Sequence, residues 1–295
     1  MEHEPDITSA DLAHGVEMGK INDGYFSNAA FAQAFVEIAI APLIADLGQS
    51  VRYASFGGGE GFLPAIVADA LAVDGRQFEA VVVDANQEFL HLAQGRGLKT
   101  LCANIEDVAL EDFDLITMRS VNHYNDPATQ RAILRNCMSC LKPGGRVVSQ
   151  NLSGPSGAYC QLASWLSKMP ELGRIEDNLD HPHITAQDEF NGFMQEVGFT
   201  GIGVAGPAPE ITISPGYYWA RFHGKAQAAA ARDGDHAVIE GLREREALYL
   251  KRANREIETF LAAARPDEAA LINRTGVSWT MTLEFPIHLG QHPAS

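Results

Sequence analysis

The chain has 295 residues, 46% of them hydrophobic, and its 22 basic and 38 acidic residues give a formal net charge of −16. This length can bury one large core or a core with an accessory cap, and the negative charge, which repels phosphate backbones, argues against nucleic acid as a partner. The sequence has no run of eighteen apolar residues, and its acidic start, MEHEPDITSADL, does not resemble a signal peptide. We therefore expect no membrane partner and a cytoplasmic location.

The four cysteines, at positions 102, 137, 140 and 160, are too few and too unevenly spaced to indicate a disulfide framework. Cys137 and Cys140 form one C-x-x-C pair inside a helical pattern, and no second pair of ligands accompanies them. We interpret both as core-facing side chains and expect no metal site.

Residues 1–50 are predicted to form an N-terminal helical segment, with two or three helices between residues 9 and 48. Pro42 is expected to mark a kink or junction in this segment. The polar stretch GKINDGYFSN, before the strongest helical pattern, contains Tyr25. This stretch either folds over a ligand, which makes Tyr25 a candidate substrate-binding residue, or forms a plain surface turn.

The most informative stretch is residues 51–64, VRYASFGGGEGFLP, where an apolar strand ends in four glycines and a helix follows. Gly57, Gly59 and Gly61 form a G-x-G-x-G pattern, and Gly58 adds further freedom. Glycine lets a ligand approach the backbone closely, and the N–H groups at a helix start favour an anionic ligand group. The loop therefore predicts a nucleotide-type cofactor site, although tight packing of strand on helix could also require it.

Asp84 lies in the second predicted strand, FEAVVVDAN, whose continuous β-branched run indicates burial on both faces. It follows Gly61 by about twenty residues, a spacing at which an acid can accept hydrogen bonds from ribose hydroxyls. Asp84 could instead cap the following helix, QEFLHLAQ, although Asn86 is also placed to cap it. We favour the ribose role because the loop and the acid occur together.

The chain then alternates between strands and helices, which predicts βαβ units and a largely parallel sheet. The third strand is expected in LKTLCANIEDV, the fourth in FDLITMRSVNHYND and the fifth in RVVSQNL. Asp126 and Pro127 are predicted to open the helix that precedes the turn LKPGG.

Residues 51–150 thus contain an ordered series of motifs: FGGGEG, VVVD, ANIED, FDLITMRSVNHYND and LKPGGRVVSQ. This series closely resembles the class I S-adenosylmethionine-dependent methyltransferases. More loosely, QEVGFTGIGV looks like the last helix and sixth strand of that family, and SWTMTLEFPI like its antiparallel seventh strand. The resemblance implies an α/β fold with a doubly wound, mostly parallel, Rossmann-like sheet of seven strands, one of them antiparallel. It also implies S-adenosylmethionine as the cofactor.

The resemblance also assigns residues to the cofactor. The glycine loop would pass beneath its methionine part, Asp84 would hold the ribose, and Asn104 would face the adenine amino group. The full set is Ser55, Gly57, Gly58, Gly59, Gly61, Asp84, Ala85, Asn104, Ile105 and Arg119.

Two of these positions depart from the family. Ser55 stands where the family commonly has an acid that contacts the amino group of the cofactor. Glu60 could replace that acid, or it could equally be a solvated loop residue. Asn104 stands where the family usually has Asp, and its amide oxygen can accept the same adenine N–H.

His123, in VNHYND, matches a histidine that the family often has at the end of the fourth strand, beside the transferring methyl. Its ordinary pKa suits a general base for an acceptor that must lose a proton. The alternative, in which His123 packs against adenosine or caps Asp126, stays open. Asn151 and His183 are further candidate substrate-binding residues. The ends of strands four and five carry no carboxylate-rich set like that of magnesium-dependent catechol-type enzymes, so the resemblance implies no metal.

Residues 51–206 plus 277–295 are predicted to form the methyltransferase core, with insertions at 152–183 and 207–276. The first insertion would emerge at the carboxyl ends of the strands, where open α/β sheets bind ligands, and would form a substrate wall. The second carries a long one-sided helical pattern that must bury its apolar face. That face packs on its own domain, or it forms a cap or the interface of a homodimer.

These features predict a metal-independent enzyme that transfers a methyl group from S-adenosylmethionine to an O, N or C atom of a small-molecule acceptor. The transfer would be an in-line displacement that depends mainly on orientation. An aminopropyltransferase-like enzyme is one alternative, since GGGEG resembles the GGGDG of the spermidine synthases, although RSVNHYN lacks the acidic cluster that they need. A non-catalytic S-adenosylmethionine-binding protein is another, prompted by Ser55 and Asn104.

Overall fold

Two β-sheets and the helices around them make up the structure, a computed structural model that describes residues 29–172, 183–276 and 278–294. The strands are β1 Ser50–Phe56, β2 Gln77–Asp84, β3 Lys99–Cys102, β4 Phe113–Arg119, β5 Leu141–Gln150, β6 Thr200–Ala205, β7 Glu210–Ile213, β8 Ile272–Thr275, β9 Ser278–Glu284 and β10 Ile287–Gln291. The main sheet has the strand order β3-β2-β1-β4-β5-β10-β6, and the smaller sheet has the order β7-β9-β8.

The described helices lie on both faces of the main sheet and over its carboxyl edge. They are α1 Ala29–Phe35, α2 Ala41–Ile44, α3 Phe62–Val73, α4 Gln87–Gly95, α5 Pro127–Cys140, α6 Gly157–Leu166, α7 Gln187–Val197, α8 Pro215–Asp233, α9 His236–Leu261 and α10 Pro266–Ala269. A π-helical turn, Val36–Ile40, joins α1 to α2 just before Pro42, whose missing N–H cannot continue the regular ladder. Tyr25 and the helices predicted before residue 29 lie outside the described residues.

The main sheet confirms the predicted mostly parallel, seven-stranded fold with one antiparallel strand. β1 to β5 pair in parallel, and β10 runs antiparallel between β5 and β6. Alternate residues of β1 and β4 enter two cores: Ala54 and Ile116 pack beneath α5 and α7, whereas Tyr53 and Leu115 pack beneath α1 and α3. Cys137 lies in the first of these cores, as expected. Burial on both faces makes these central strands a rigid base for their carboxyl ends.

The antiparallel strand is not the one that the sequence predicted. β10 occupies this position, whereas most of SWTMTLEFPI forms β9 in the small sheet, between β7 and β8. Pro286 lies between β9 and β10, and its missing N–H interrupts the ladder there. β10 fits the main sheet closely because Gly290 has no side chain where Met194 and Val147 approach its backbone.

The two insertions form one layer with a hydrophobic core of its own. Tyr159 of α6, Trp219 of α8 and Tyr249 of α9 are all buried in that core. The apolar face of α9 is therefore buried within its own chain, while Val238 and Leu248 on the same helix stay 45% and 51% exposed. A homodimer contact through α9 stays a prediction. None of the described helices is long and apolar enough to cross a membrane.

Candidate active site

The glycine loop between β1 and α3 adopts a backbone that ordinary residues disfavour. Gly57, Gly59 and Gly61 have φ angles of 62°, 51° and 78°. A side chain at Gly57 would collide with Val121, and one at Gly61 with Leu98 and Ala93. Gly61 begins α3, and no side chain caps that helix start. The loop is therefore packed tightly, as the alternative interpretation required, and it also presents helix N–H groups to a ligand.

Asp84 joins the glycine loop to the end of β2. One carboxylate oxygen accepts the N–H of Gly59 at 2.9 Å, and the other accepts the N–H of Asn86 at 2.9 Å. Asn86 itself caps α4 by accepting the N–H groups of Glu88 and Phe89. The capping alternative for Asp84 is thus wrong, and its carboxylate lies 3% exposed beside the loop.

The residues assigned to adenosine lie on neighbouring loops. Ala85 is exposed directly after β2, and Asn104 is exposed two residues after β3. Asn104 Oδ1 accepts the N–H of Glu106 at 3.1 Å, which holds the loop in a tight turn. Ile105 is half-buried, and its carbonyl accepts a hydrogen bond from Asn136 Nδ2 at 3.0 Å. These contacts fix the loop that would border the adenine.

Ser55, which stands where the family commonly has an acid, and Glu60, which could replace that acid, both contact other side chains. Ser55 is 2% exposed and lies beneath Gly58, and its hydroxyl accepts a hydrogen bond from Thr117 at 3.4 Å. The carboxylate of Glu60 lies 3.9 Å from Arg96, which also donates to the Glu60 carbonyl at 3.0 Å. The carboxylate of Glu60 thus lies nearest to Arg96, and its role in place of the family acid stays a prediction.

The end of β4 carries Arg119, which the sequence assigned to the cofactor, and Ser120, which it did not. Arg119 donates to the side chain of Gln150 at 3.1 Å. Ser120 has a φ of 59°, a left-handed conformation that costs energy in a residue other than glycine. Ser120 is 7% exposed, and its hydroxyl has no hydrogen-bond partner among the described residues. No sequence pattern marks this conformation.

His123 lies in a 3₁₀ turn, Asn122–Tyr124, and is 3% exposed. Its Nδ1 accepts the N–H of Leu152 at 3.1 Å, so the ring proton of the neutral imidazole resides on Nε2. Burial, and secondarily the charge of Arg221, lowers the pKa of His123 to about 3. The free protein thus holds His123 as a neutral hydrogen-bond donor rather than as a ready general base.

Asn151 belongs to a buried polar network beneath His123. Its Nδ2 donates to Ser149 Oγ at 2.7 Å, and its Oδ1 accepts the N–H of Asn122 at 3.1 Å. Asn122 Nδ2 donates to the same Ser149 oxygen at 3.1 Å. The network fixes the ends of β4 and β5 against each other, and so it fixes the turn that carries His123.

His183 also lies beside His123. Its N–H donates to the carbonyl of His123 at 2.5 Å, and its ring Nε2 lies 3.0 Å from Lys168 Nζ. Burial, and then the charge of Lys168, lowers the pKa of the His183 ring, while Asp126 opposes that change. The structure therefore brings His123, Asn151 and His183 together at the ends of β4 and β5.

A small cavity lies between His123 and a second buried histidine, His288 of β10, and both line it. The residues around this cavity are His123, Gln130, Asn151, Leu152, Ser153, Thr185, Phe190 and His288. His288 is 1% exposed, and its Nδ1 lies 2.8 Å from Asn191 Oδ1. Burial lowers the pKa of His288 to about 4.

These two histidines should make the folded protein sensitive to acid. Each stays neutral when folded but binds a proton in the unfolded chain below its ordinary pKa of about 6.5. Their stabilisation is complete above that pH and is lost as the pH falls towards about 4 for His288 and about 3 for His123. Each should contribute about 1.4 kcal/mol per pH unit to the fall in the free energy of unfolding.

Urea unfolding of wild type and His288→Asn across this pH range measures the effect. In the variant, the free energy of unfolding should fall less steeply with falling pH, by about 1.4 kcal/mol per pH unit, even if the variant is less stable overall. His91, which is exposed on α4, provides the control variant His91→Asn. An unchanged slope in His288→Asn would contradict a neutral, buried His288.

Within residues 29–172, 183–276 and 278–294, no three His, Cys, Asp or Glu side chains are grouped so that they could hold a metal ion.

Residues 54–147 match the protein family described as a methyltransferase domain. Comparison with curated proteins gives no match.

Two solved structures show the same fold. The YcgJ protein of Bacillus subtilis has a TM-score of 0.55 at 16% identity, over 87% of this chain and 98% of that one. Phosphoethanolamine N-methyltransferase 2 of Haemonchus contortus, in complex with phosphomonomethylethanolamine and S-adenosylhomocysteine, has a TM-score of 0.52 at 12% identity, over 98% of this chain and 58% of that one.

The matched sequence covers the part of the fold that carries the glycine loop, Asp84 and His123. Residues 54–147 are therefore a methyltransferase domain. This domain and the seven-stranded sheet support the class I S-adenosylmethionine-dependent methyltransferase that the motifs predicted.

Proposed function

We propose that this enzyme methylates a small-molecule acceptor, at an oxygen, nitrogen or carbon atom, without a metal ion. The order of groups along the carboxyl edge of the main sheet supports this proposal most. Asn104 follows β3, Asp84 ends β2, the glycine loop follows β1, and His123 follows β4. Because neighbouring strands lie about 4.8 Å apart, these groups span roughly 14 Å, which suits an extended nucleoside that carries an amino acid.

The residues along this edge fit S-adenosylmethionine. Asn104 Oδ1 has a second lone pair with which it can accept the adenine N–H. The Asp84 carboxylate offers about four acceptor positions at the end of β2, and a charged acceptor of this kind suits ribose hydroxyls. The glycine loop lets the methionine part approach the backbone. When bound, S-adenosylmethionine supplies a methyl group activated by its sulfonium.

His123 is proposed to orient the acceptor rather than to deprotonate it. Its Nδ1 is occupied by the Leu152 N–H, so Nε2–H is the group that can contact an acceptor. A donor at this position holds the lone pair of the acceptor in line with the methyl group, and orientation is the main requirement of such a displacement. The polar network of Asn122, Ser149 and Asn151 keeps the ring in place.

The acceptor is proposed to be small because the cap encloses His123. Phe285 packs its ring 6.3 Å from the His123 ring, and Arg221 of α8 hydrogen-bonds to the side chain of the adjacent Tyr124. This enclosure favours a small acceptor over a macromolecule. The Haemonchus contortus enzyme, whose complex contains phosphomonomethylethanolamine, offers a parallel for a small acceptor on this fold.

Calorimetry and turnover assays test the proposal. We expect protein treated with a metal chelator to bind S-adenosylmethionine and S-adenosylhomocysteine, and to release S-adenosylhomocysteine with at least one member of a panel of small amines, phenols and carboxylates. Failure to bind either nucleoside would reject the proposal. Binding without release across the panel would favour the non-catalytic alternative, and release of methylthioadenosine from decarboxylated S-adenosylmethionine would favour aminopropyl transfer.

A further inference from the structure

Ser120 carries a buried hydroxyl that the described part of the protein does not use. The residue is 7% exposed, and no donor or acceptor among the described residues pairs with its Oγ. Buried polar groups in native proteins almost always have a partner, so an unpaired hydroxyl calls for a ligand or another explanation. The left-handed φ of 59° adds a second cost at the same residue.

Ser120 directly follows β4, at the carboxyl edge of the main sheet along which the cofactor would lie. Its N–H donates to the carbonyl of Gln150 at 2.8 Å, and the next residue, Val121, packs against Gly57 of the loop. In the sheet order, β1 lies between β2, which ends in Asp84, and β4, which leads to Ser120. A ligand that has its ribose at Asp84 and crosses the glycine loop therefore ends near Ser120, about 10 Å away.

The α-ammonium group of the cofactor would lie at this end, and the acid that commonly contacts it in the family is absent here. The family acid is replaced by Ser55, whose hydroxyl is held by Thr117, and Glu60 is held by Arg96. A hydroxyl can accept a hydrogen bond from an ammonium group. We propose that Ser120 Oγ accepts a hydrogen bond from the α-ammonium group of the bound S-adenosylmethionine. This inference rests on the proposed function.

Three nucleosides separate this contact from general effects on binding. S-adenosylhomocysteine has both the ammonium and the carboxylate, its decarboxylated analogue has only the ammonium, and 5′-methylthioadenosine has neither. Hydrogen bonds to charged groups are strong, so Ser120→Ala should lower the affinity for S-adenosylhomocysteine and for its decarboxylated analogue by roughly 10-fold to 100-fold. The affinity for 5′-methylthioadenosine should stay within about twofold of wild type. Calorimetry measures all three affinities. Ser120→Gly should behave in the same way, while it relieves the strained φ.

Two control variants define what a general defect looks like. Ser167 is buried, but its hydroxyl is satisfied by the carbonyl of Ser164 at 2.7 Å, so Ser167→Ala should lower the melting temperature without changing any of the three affinities. Asp84→Asn should weaken all three ligands, because each contains the ribose. Ser120→Ala should melt no lower than wild type, since it removes an unpaired group.

Several results would overturn the inference. They are unchanged affinity for S-adenosylhomocysteine in both Ser120 variants, an equal loss for all three ligands, or a loss for S-adenosylhomocysteine but not for its decarboxylated analogue. The last result would place the carboxylate, not the ammonium, at Ser120. If the wild-type protein bound none of the three, the proposed function would fail and this inference with it.

Discussion

Replacing Asp84 with alanine should weaken the binding of S-adenosylmethionine by about 2 to 4 kcal/mol, or roughly 30-fold to 1,000-fold, because two hydrogen bonds from the ribose to a charged acceptor are lost. The variant also loses the acceptor for the Gly59 N–H, and so it loosens the loop over which the methionine part would lie. Calorimetry with S-adenosylmethionine and S-adenosylhomocysteine measures the loss. Similar changes for both ligands are expected, because they share the ribose.

The matched control for this prediction is the neighbouring residue Asn86. Its side chain caps α4 and accepts the N–H groups of Glu88 and Phe89. Asn86→Ala should therefore lower the free energy of unfolding by about 1 kcal/mol and leave nucleoside affinity close to wild type. Wild-type affinity in Asp84→Ala would remove Asp84 from the cofactor site and leave it with a structural role at the loop.

The first half of the fold could be predicted because its signals are local. Strand β2 and the glycine loop each show their character within a few residues, and the spacing from Gly61 to Asp84 follows from one strand–helix–strand unit. The capping of α4 by Asn86 was open in the sequence because Asp84 also stood near the helix start. Only the backbone direction after β2 decides which carboxylate or amide oxygen faces the helix N–H groups.

The last strand could not be placed because its partners are distant in the chain. β10 pairs with Gln150 on one side and with Ala205 on the other. Its sequence, IHLGQ, is short and contains glycine, whereas SWTMTLEFPI has the β-branched and aromatic residues that favour strands. The composition correctly indicated a strand at β9, but which sheet that strand joins depends on packing against α8 and β7.

The layer that the two insertions form also could not be predicted, because its contacts join residues that are distant in the chain. Tyr159 of the first insertion donates to the carbonyls of Leu271 and Thr282, more than one hundred residues later in the sequence. No periodicity within either insertion could show that the two share one core. The left-handed φ of Ser120 and the neutral state of His123, with its ring proton on Nε2, could not be predicted from the sequence for the same reason. Both arise only when β4 and β5 lie side by side, which brings the Leu152 N–H to Nδ1 of His123.

The role of His123 can be tested with two substitutions that divide its ring nitrogens. His123→Asn places an amide oxygen where Nδ1 accepts the Leu152 N–H, but it has no donor at the position of Nε2. His123→Gln places an amide N–H near Nε2. If Nε2–H orients the acceptor, His123→Asn should lower kcat by roughly 100-fold and His123→Gln by less, while the affinity for S-adenosylhomocysteine changes little in either.

The pH dependence separates this orienting role from general base catalysis. A base needs a pKa near the working pH, whereas burial and the charge of Arg221 lower the pKa of His123 to about 3 in the free protein. With an acceptor that must lose a proton, kcat should therefore show no inflection from His123 between about pH 5 and pH 8. A wild-type rate that rises through about pH 6.5 and loses that inflection in His123→Asn would instead establish the base. It would also mean that ligand binding moves the Leu152 N–H away from Nδ1, because only then could the ring titrate as an ordinary imidazole.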